Sequence, residues 1–202
     1  MHCFVSFPAA WAVAAVLASA AGQTETDTYT RYELLGPETA QFRILYEVTA
    51  TTAGATAYYN PIRQGSEASS EAVFDRLTGE PLRFEVVSGA QARTEGYAEA
   101  DPQTGYIKVR LARPVPKDGE ARILIDKTYK DPKSYFREGD LIVFSRPLGV
   151  KRNAVVLPKG YELVACNVPA QVLSEPDGRI LVSFMNPLPA PAPLVVRARR
   201  LP

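Results

Sequence analysis

The sequence is poor in histidine and cysteine, the two residue types that carry much familiar enzyme chemistry. Its 202 residues include one histidine, His2, and two cysteines, Cys3 and Cys166. Ser-His-Asp and Cys-His catalysis need an imidazole to move a proton, and zinc sites of the His-Glu-x-x-His type need two. His2 lies in an N-terminal apolar segment, so the remainder of the chain excludes both mechanisms. Chemistry based on carboxylates, lysine, tyrosine or oxygen-coordinated metals stays open.

The N-terminal segment is an uncharged apolar run, residues 3–22, that ends in small residues. Ala18-Ser19-Ala20 fits an A-x-A cleavage site, so we predict a secretory signal peptide at residues 1–22 and a periplasmic or secreted product. The alternative is a retained anchor, because no lysine or arginine stands in the first residues. After cleavage we expect no transmembrane segment and no internal disulfide, since Cys166 would be the only cysteine left, and we interpret it as a small buried hydrophobe.

Short runs of β-branched and aromatic residues alternate with turn residues along the rest of the chain. Residues 140–186 hold four such runs, separated by Pro-Leu-Gly, Pro-Lys-Gly and Glu-Pro-Asp-Gly, and residues 41–51 alternate with a period of two. These patterns predict an all-β fold, an antiparallel β-sandwich of about ten to twelve short strands. We expect a single domain at 23–202, with sub-lobes 23–130 and 140–202 as the alternative.

Three local expectations accompany this fold prediction. The polar residues 23–30 are expected to fray. Residues 106–111 and 121–129, which both alternate around a Pro-Lys-Asp-Gly turn, are expected to pair as a hairpin. If the protein is a structural subunit of an envelope assembly, the final strand at 194–198 is expected to be an unpaired edge.

The two halves of the chain differ in charge. Residues 21–100 contain 12 acidic and 6 basic residues, residues 101–202 contain 10 acidic and 17 basic ones, and together they give the net charge of +1. Such asymmetry can mark a surface for an anionic partner, or the halves can simply complement each other. The densest basic segment, interleaved with aromatics, gives our candidate binding residues: Lys127, Tyr129, Lys130, Lys133, Tyr135, Arg137, Arg146, Lys151 and Arg152.

Tyrosines offer a second kind of candidate site, because they can stack on sugar rings in place of tryptophan, and the only tryptophan, Trp11, lies in the apolar segment. The candidates are Tyr58, Tyr59, Tyr97, Tyr106, Tyr129 and Tyr135. Glu95, Glu99 and Asp101 share a loop but lack the spacing of a calcium-binding loop. We therefore predict no catalytic residue, no metal site and no cofactor.

Several segments resemble a known family. They are Val73-Phe74-Asp75, the turn Thr78-Gly79-Glu80-Pro81-Leu82, the pair Tyr135-Phe136, and the run from Arg152 to Leu163. Together they resemble the β-sandwich that precedes the catalytic domain of gluzincin-type zinc aminopeptidases, and exported bacterial proteins that carry such a sandwich alone. The resemblance implies an accessory fold beside a catalytic domain. No zinc ligand can be carried over, because His-Glu-x-x-His is absent.

The function expected from these observations is an exported, non-enzymatic binding or accessory module. Its partner would be a protein, an anionic polysaccharide or an envelope surface, and not nucleic acid; the sequence leaves the oligomeric state open. The alternatives are a glycan-active enzyme that uses Tyr, Lys and Glu, and the envelope subunit. A concave pocket in which Tyr, Lys or Glu converge would favour the enzyme, whereas a flat basic and aromatic face would favour the binding module.

Overall fold

Fourteen strands and one short helix make up residues 22–202, the range that this computed structural model describes. The predicted signal peptide lies outside the described residues except for Gly22. The strands are β1 (Glu25–Leu34), β2 (Gln41–Ala50), β3 (Ala57–Pro61), β4 (Glu67–Asp75), β5 (Phe84–Ser88), β6 (Gly105–Arg110), β7 (Ala121–Lys130), β8 (Tyr135–Glu138), β9 (Leu141–Leu148), β10 (Arg152–Val156), β11 (Tyr161–Cys166), β12 (Gln171–Ser174), β13 (Ile180–Met185) and β14 (Ala192–Arg200). The helix α1 (Gly89–Thr94) begins after Ser88, whose hydroxyl caps it by accepting from the Gln91 N–H. Within residues 22–202 we find no helix with the length and apolar character needed to cross a membrane.

The strands form three sheets. A seven-stranded sheet has the order β12-β13-β10-β1-β2-β7-β4, a four-stranded sheet the order β11-β14-β9-β8, and a three-stranded sheet the order β3-β6-β5. The pair β1–β10 is parallel, and the other pairs are antiparallel.

Both smaller sheets pack over the same face of the seven-stranded sheet. Phe42 on β2 meets Phe144 of the four-stranded sheet, with ring centroids 5.3 Å apart. Tyr46, four residues further along β2, brings its hydroxyl within 3.3 Å of the Tyr58 hydroxyl on β3. Alternate residues of a strand point to one face, so Phe42 and Tyr46 place both contacts on one side of the large sheet. Side chains from all three sheets, Ile107 among them, therefore share one core.

The predicted all-β class is confirmed, but its details need correction. Fourteen strands exceed the expected ten to twelve, because pieces of four residues such as β8 and β12 are too short to separate from loops by pattern. The fold is not antiparallel throughout, because β1 pairs in parallel with β10. A parallel pair needs a long connection, and the chain between these strands supplies it.

Two strand-pairing expectations are wrong. Residues 106–111 and 121–129 do not form a hairpin: β6 pairs with β3 and β5, while β7 pairs with β2 and β4. Alternation specifies which face of a strand is buried but not which strand lies beside it. The final strand is not an edge either, because β14 lies between β11 and β9.

One buried ion pair links the four-stranded sheet to the segment that follows β7. Arg146 on β9 places its Nη1 atom 3.1 Å from Oδ2 of Asp131, and both side chains are buried. The Ser134 hydroxyl donates to the same oxygen at 2.7 Å, and the backbone N–H groups of Lys133 and Ser134 donate to Oδ1. Burial alone would raise the pKa of the Asp131 carboxyl, but these hydrogen bonds and the charge of Arg146 hold that pKa below its usual value.

Removing this carboxylate is expected to destabilise the fold strongly. Asp131→Ala leaves the Arg146 charge buried without its partner, which costs about 3–5 kcal/mol in the free energy of unfolding. Asp126→Ala is the matched control, because Asp126 pairs at 2.8 Å with Arg43, whose side chain is 44% exposed. That change is expected to cost about 1 kcal/mol or less. Urea unfolding measures both values, and equal losses would contradict the structural role of the buried pair.

Candidate functional site

A cavity of about 500 Å³ lies where the seven-stranded sheet, β3 and β9 meet. We call it the tyrosine-lined pocket, because six of the ten tyrosines of the chain line it. They are Tyr32, Tyr46, Tyr58, Tyr59, Tyr97 and Tyr129. The remaining lining includes the charged residues Glu25, Arg63, Lys127 and Arg146.

Strand register explains why a lysine reaches this pocket. Ile44 on β2 lies opposite Tyr32 on β1 and opposite Lys127 on β7, so the three share one row across the sheet. Lys127 also lies between Ile125 and Tyr129 in the alternation of β7, and both of these side chains are buried. The sheet therefore directs the lysine stem into the core, and the pocket receives its amino group.

Lys127 is a buried amine without an acidic partner within 4.0 Å in the described residues. Its Nζ atom donates to Oδ1 of Asn60 at 2.6 Å and lies 5.1 Å from the centroid of the Tyr129 ring. Burial, together with the positive charge of Arg146, lowers the pKa of Lys127 to about 8, and the negative charge of Glu71 opposes the shift. A fraction of this amine is therefore uncharged near neutral pH.

Arg146 adds a second cation, held among aromatic rings. Its guanidinium carbon lies 5.4 Å from the Phe42 ring centroid and 5.7 Å from that of Tyr129. Burial lowers the pKa of this guanidinium from its usual value. The ion pair with Asp131 and the ring faces together make the burial of this charge tolerable.

The pocket also contains a negative charge, the carboxylate of Glu25 at the start of β1. The Glu25 carboxylate accepts hydrogen bonds from the hydroxyls of Tyr58 and Tyr46, the latter at 3.2 Å. Burial raises the pKa of both hydroxyls and the charge of Glu25 raises it further, so both remain protonated donors at neutral pH. Gln23 fixes this segment on β3: its amide donates to the Tyr59 carbonyl at 3.0 Å and accepts from the Tyr59 N–H at 2.7 Å.

The nine predicted binding residues separate into two groups. Lys127, Tyr129 and Arg146 come together in the tyrosine-lined pocket. Tyr135 is buried too, and its hydroxyl donates to the Leu35 carbonyl at 2.9 Å. Four of the nine candidates are therefore buried, so they do not belong to an exposed surface for an anionic partner. The exposed residues are Lys130, Lys133, Arg137, Lys151 and Arg152.

Two of the exposed cations already contact backbone carbonyls. Lys151 donates to Leu188 at 2.8 Å, and Arg152 donates to Asp27 at 2.7 Å. Whether any of the exposed residues binds a partner stays a prediction.

Sequence reasoning missed ten of the sixteen residues that line the pocket. The expectation that residues 23–30 fray is wrong, because β1 begins at Glu25 and the pocket draws Gln23, Glu25 and Thr30 from this stretch. Asn60 and Arg63 were missed as well. A usable signal existed for Lys127, since it falls on the apolar face of an alternating strand, where an unpaired lysine is rare.

No family model matches the sequence, and no curated protein matches it either. Solved structures do match. An M1 zinc metallopeptidase from Deinococcus radiodurans aligns with a TM-score of 0.54 and 12% identity, covering 88% of this chain and 42% of that one. An aminopeptidase N family protein from Idiomarina loihiensis aligns with a TM-score of 0.51 and 10% identity, covering 85% of this chain and 29% of that one.

The chain shares the fold of part of a zinc aminopeptidase. The predicted resemblance is thus confirmed at the level of fold, and it is consistent with the β-sandwich of such an enzyme without its catalytic domain. The chain spans less than half the length of the metallopeptidases it matches. Among the described residues no group of three or more His, Cys, Asp and Glu side chains is arranged to hold a metal ion.

Replacing the buried lysine should remove one component of the pH dependence of stability. The pKa of Lys127 is about 8 in the fold and about 10.4 in an unfolded chain. Between these values the unfolded chain binds the proton and the folded chain does not, so the wild-type free energy of unfolding rises with pH. Relative to Lys127→Met, the wild type should gain about 3 kcal/mol between pH 7 and pH 10.5 in urea titrations.

The two charged groups that shift the pKa of Lys127, Arg146 and Glu71, are present in both proteins and cancel in this comparison. Lys117→Met, at an exposed lysine outside the pocket, is the matched control and should differ from the wild type by a constant amount. A wild-type minus Lys127→Met difference that stays constant with pH would contradict the depressed pKa.

Proposed function

We propose that this chain is an exported accessory domain that binds a small, negatively charged ligand in the tyrosine-lined pocket. The observation that carries the proposal is Lys127, a buried amine that lines a cavity of about 500 Å³ and, within residues 22–202, has only the Asn60 amide as a direct hydrogen-bond partner. Burying an ammonium group is costly unless an anion compensates it. A ligand carboxylate or phosphate would supply that anion.

The charges around the pocket favour an anion. Asp131 neutralises Arg146, and Glu25 is engaged by two tyrosine hydroxyls. Arg63 is exposed at the pocket and, within residues 22–202, has no acidic partner within 4.0 Å. Arg63 and Lys127 thus leave two cationic groups for a ligand, and hydroxyls and ring faces surround them. Pockets of this size suit small organic molecules.

Three observations support the accessory role and the domain organisation. The fold matches part of larger metallopeptidases. The N-terminal sequence has the form of a signal peptide, from which we infer a periplasmic or secreted location. Phe42 and Phe144 belong to the two alternative sub-lobes yet pack in one core, so we infer a single domain at 23–202 with the three sheets arranged as a sandwich.

The pocket also meets the criterion given above for an enzyme, since Tyr, Lys and Glu side chains converge in a concave site. Glycoside hydrolysis by a carboxylate pair is not supported, because Glu25 is the only carboxylate in the described lining and that mechanism needs two. Chemistry through lysine and tyrosine fits the lining better.

Small dicarboxylates provide a direct test of the pocket. Oxalate at about 100 times its dissociation constant should stabilise the fold by about 2.7 kcal/mol, which raises the unfolding midpoint by roughly 5–10 °C. Neutral glycolamide, of similar size, should have little effect. Arg63→Gln should weaken the shift produced by oxalate, while Lys117→Gln should preserve it. The absence of any shift with oxalate, phosphate and glucuronate alike would reject an anion pocket.

A second proposal keeps the exposed cations as a surface for polyanions. Lys130 ends β7, Lys133 lies in the connection that follows and Arg137 lies on β8. These three side chains are exposed, as are Lys151 and Arg152, which favours contact with an anionic polysaccharide or envelope surface. This surface lies outside the pocket, so the two proposals can be tested separately.

Heparin retention tests the surface. Changing Lys130, Lys133, Lys151 and Arg152 to Glu should lower the salt concentration at which the protein elutes, because the contacts are electrostatic and screened. Changing Arg113, Lys117, Lys159 and Arg200 to Glu alters the net charge equally and serves as the control, with a smaller expected effect. Equal shifts in elution for both sets would mean that retention depends on net charge alone, and would reject this surface.

A further inference from the structure

The amino group of Lys127 has the surroundings of a nucleophilic amine. It lies in a cavity, it is 95% shielded from solvent as a residue, and its hydrogen-bond partner is a neutral amide oxygen. The positive charge of the Arg146 guanidinium acts on this amine and lowers its pKa further than burial alone would. Desolvation and a neighbouring cation are the two conditions that activate lysine toward carbonyl compounds.

The tyrosine-lined pocket also offers groups that could hold the rest of a carbonyl substrate. Arg63, exposed at the pocket, can pair with a carboxylate, for which the planar guanidinium is well suited. The hydroxyls of Tyr46 and Tyr58 each donate their one hydrogen to Glu25, so toward a ligand these side chains offer hydroxyl acceptors and ring faces. Tyr46 lies one strand away from Lys127 and two residues along, so the two residues are diagonal neighbours, whose Cβ atoms lie somewhat less than about 7–8 Å apart. A molecule of a few carbon atoms spans such a distance.

We propose that Lys127 forms a Schiff base with the carbonyl carbon of a small oxo acid bound in the tyrosine-lined pocket. The amine attacks the carbonyl carbon, a C–N bond forms, and the carbonyl oxygen leaves as water with both protons of the neutral amine. No atom changes oxidation state, and the step needs no other reactant. This inference rests on the proposed anion pocket and deepens it by naming the ligand class.

The uncharged fraction of the amine supports the step. With a pKa of about 8, roughly one tenth of Lys127 is a free amine at pH 7, about 200-fold more than for a lysine in water. The reaction should therefore be selective for this lysine over the six others in the sequence, Lys108, Lys117, Lys130, Lys133, Lys151 and Lys159.

Reductive trapping tests the inference. The full chain is incubated at pH 7 with glyoxylate and sodium cyanoborohydride, which reduces the imine to a stable secondary amine, and labelled peptides are quantified by mass spectrometry. We expect Lys127 to be labelled at least about 10-fold faster than Lys117, and oxalate to protect Lys127. Labelling of Lys127 at or below the rate of Lys117 would overturn the proposal, and this readout uses wild-type protein, so it does not depend on a variant that folds.

Two comparisons define the ligand class. Arg63→Gln should slow labelling by glyoxylate several-fold and leave labelling by propanal, a neutral aldehyde, unchanged, because only glyoxylate carries the carboxylate. Lys117→Arg should alter neither rate at Lys127. Equal labelling by both aldehydes, without an effect of Arg63→Gln, would reject an oxo acid.

The failure of this inference is distinguishable from the failure of the proposed function. If oxalate raises the unfolding midpoint but glyoxylate does not label Lys127, the anion pocket stands and the Schiff base is rejected. If oxalate has no effect and labelling by glyoxylate is no better than by propanal, both are rejected.

Discussion

The structure depends on two cations that β-strand alternation forces into an apolar interior. Lys127 stands between Ile125 and Tyr129 on β7, and Arg146 stands between Phe144 and Leu148 on β9, so neither can turn to solvent without reversing its strand. The chain compensates them differently. Arg146 has a full ion pair with Asp131, whereas Lys127 has an amide oxygen and a ring face. Arg146 is therefore part of the structural core, whereas Lys127 is a candidate for binding and chemistry. Only the buried charge of Lys127 could still gain an ionic partner from a ligand.

The cavity beside Lys127 forms because the two smaller sheets cover different parts of the large sheet. β3 lies over Tyr46, while β9 lies over Phe42, and the large sheet spans both contacts. Aromatic side chains partly fill the space between β3 and β9, but the tyrosine hydroxyls need polar partners. This space therefore does not pack as a purely apolar core. Glu25 and Gln23 satisfy several of these groups from β1. The result is a polar interior site on rigid strands, and rigid support of this kind favours a defined binding geometry over an adaptable surface.

Much of the fold could be predicted from the sequence, because alternation and turn residues act locally. The strand of residues 41–51 and the four runs between 140 and 186 are present as β2, β9, β10, β11 and β13. The partners of the strands could not be predicted. Residues 106–111 and 121–129 carry the same alternation, yet lie in different sheets, because the face that a strand buries does not specify its neighbour. The parallel pairing of β1 with β10 depends on contacts between distant segments and has no local signal.

The site was only partly predictable, for a related reason. Net basic charge identified Lys127 and Arg146 as candidates but assigned them to a surface, because a charge count ignores which face of a strand carries the charge. The alternation of β7 contains the correction: positions 123, 125, 127 and 129 share a face, and three of them are apolar or aromatic. Glu25 had no such signal, since its role arises from meeting Tyr46 and Tyr58, 21 and 33 residues further along. A polar residue that alternation buries loses its water and needs a specific partner instead, and among the described residues Lys127 has no ionic partner. The function of this fold should therefore be sought in the tyrosine-lined pocket, at the amino group of Lys127.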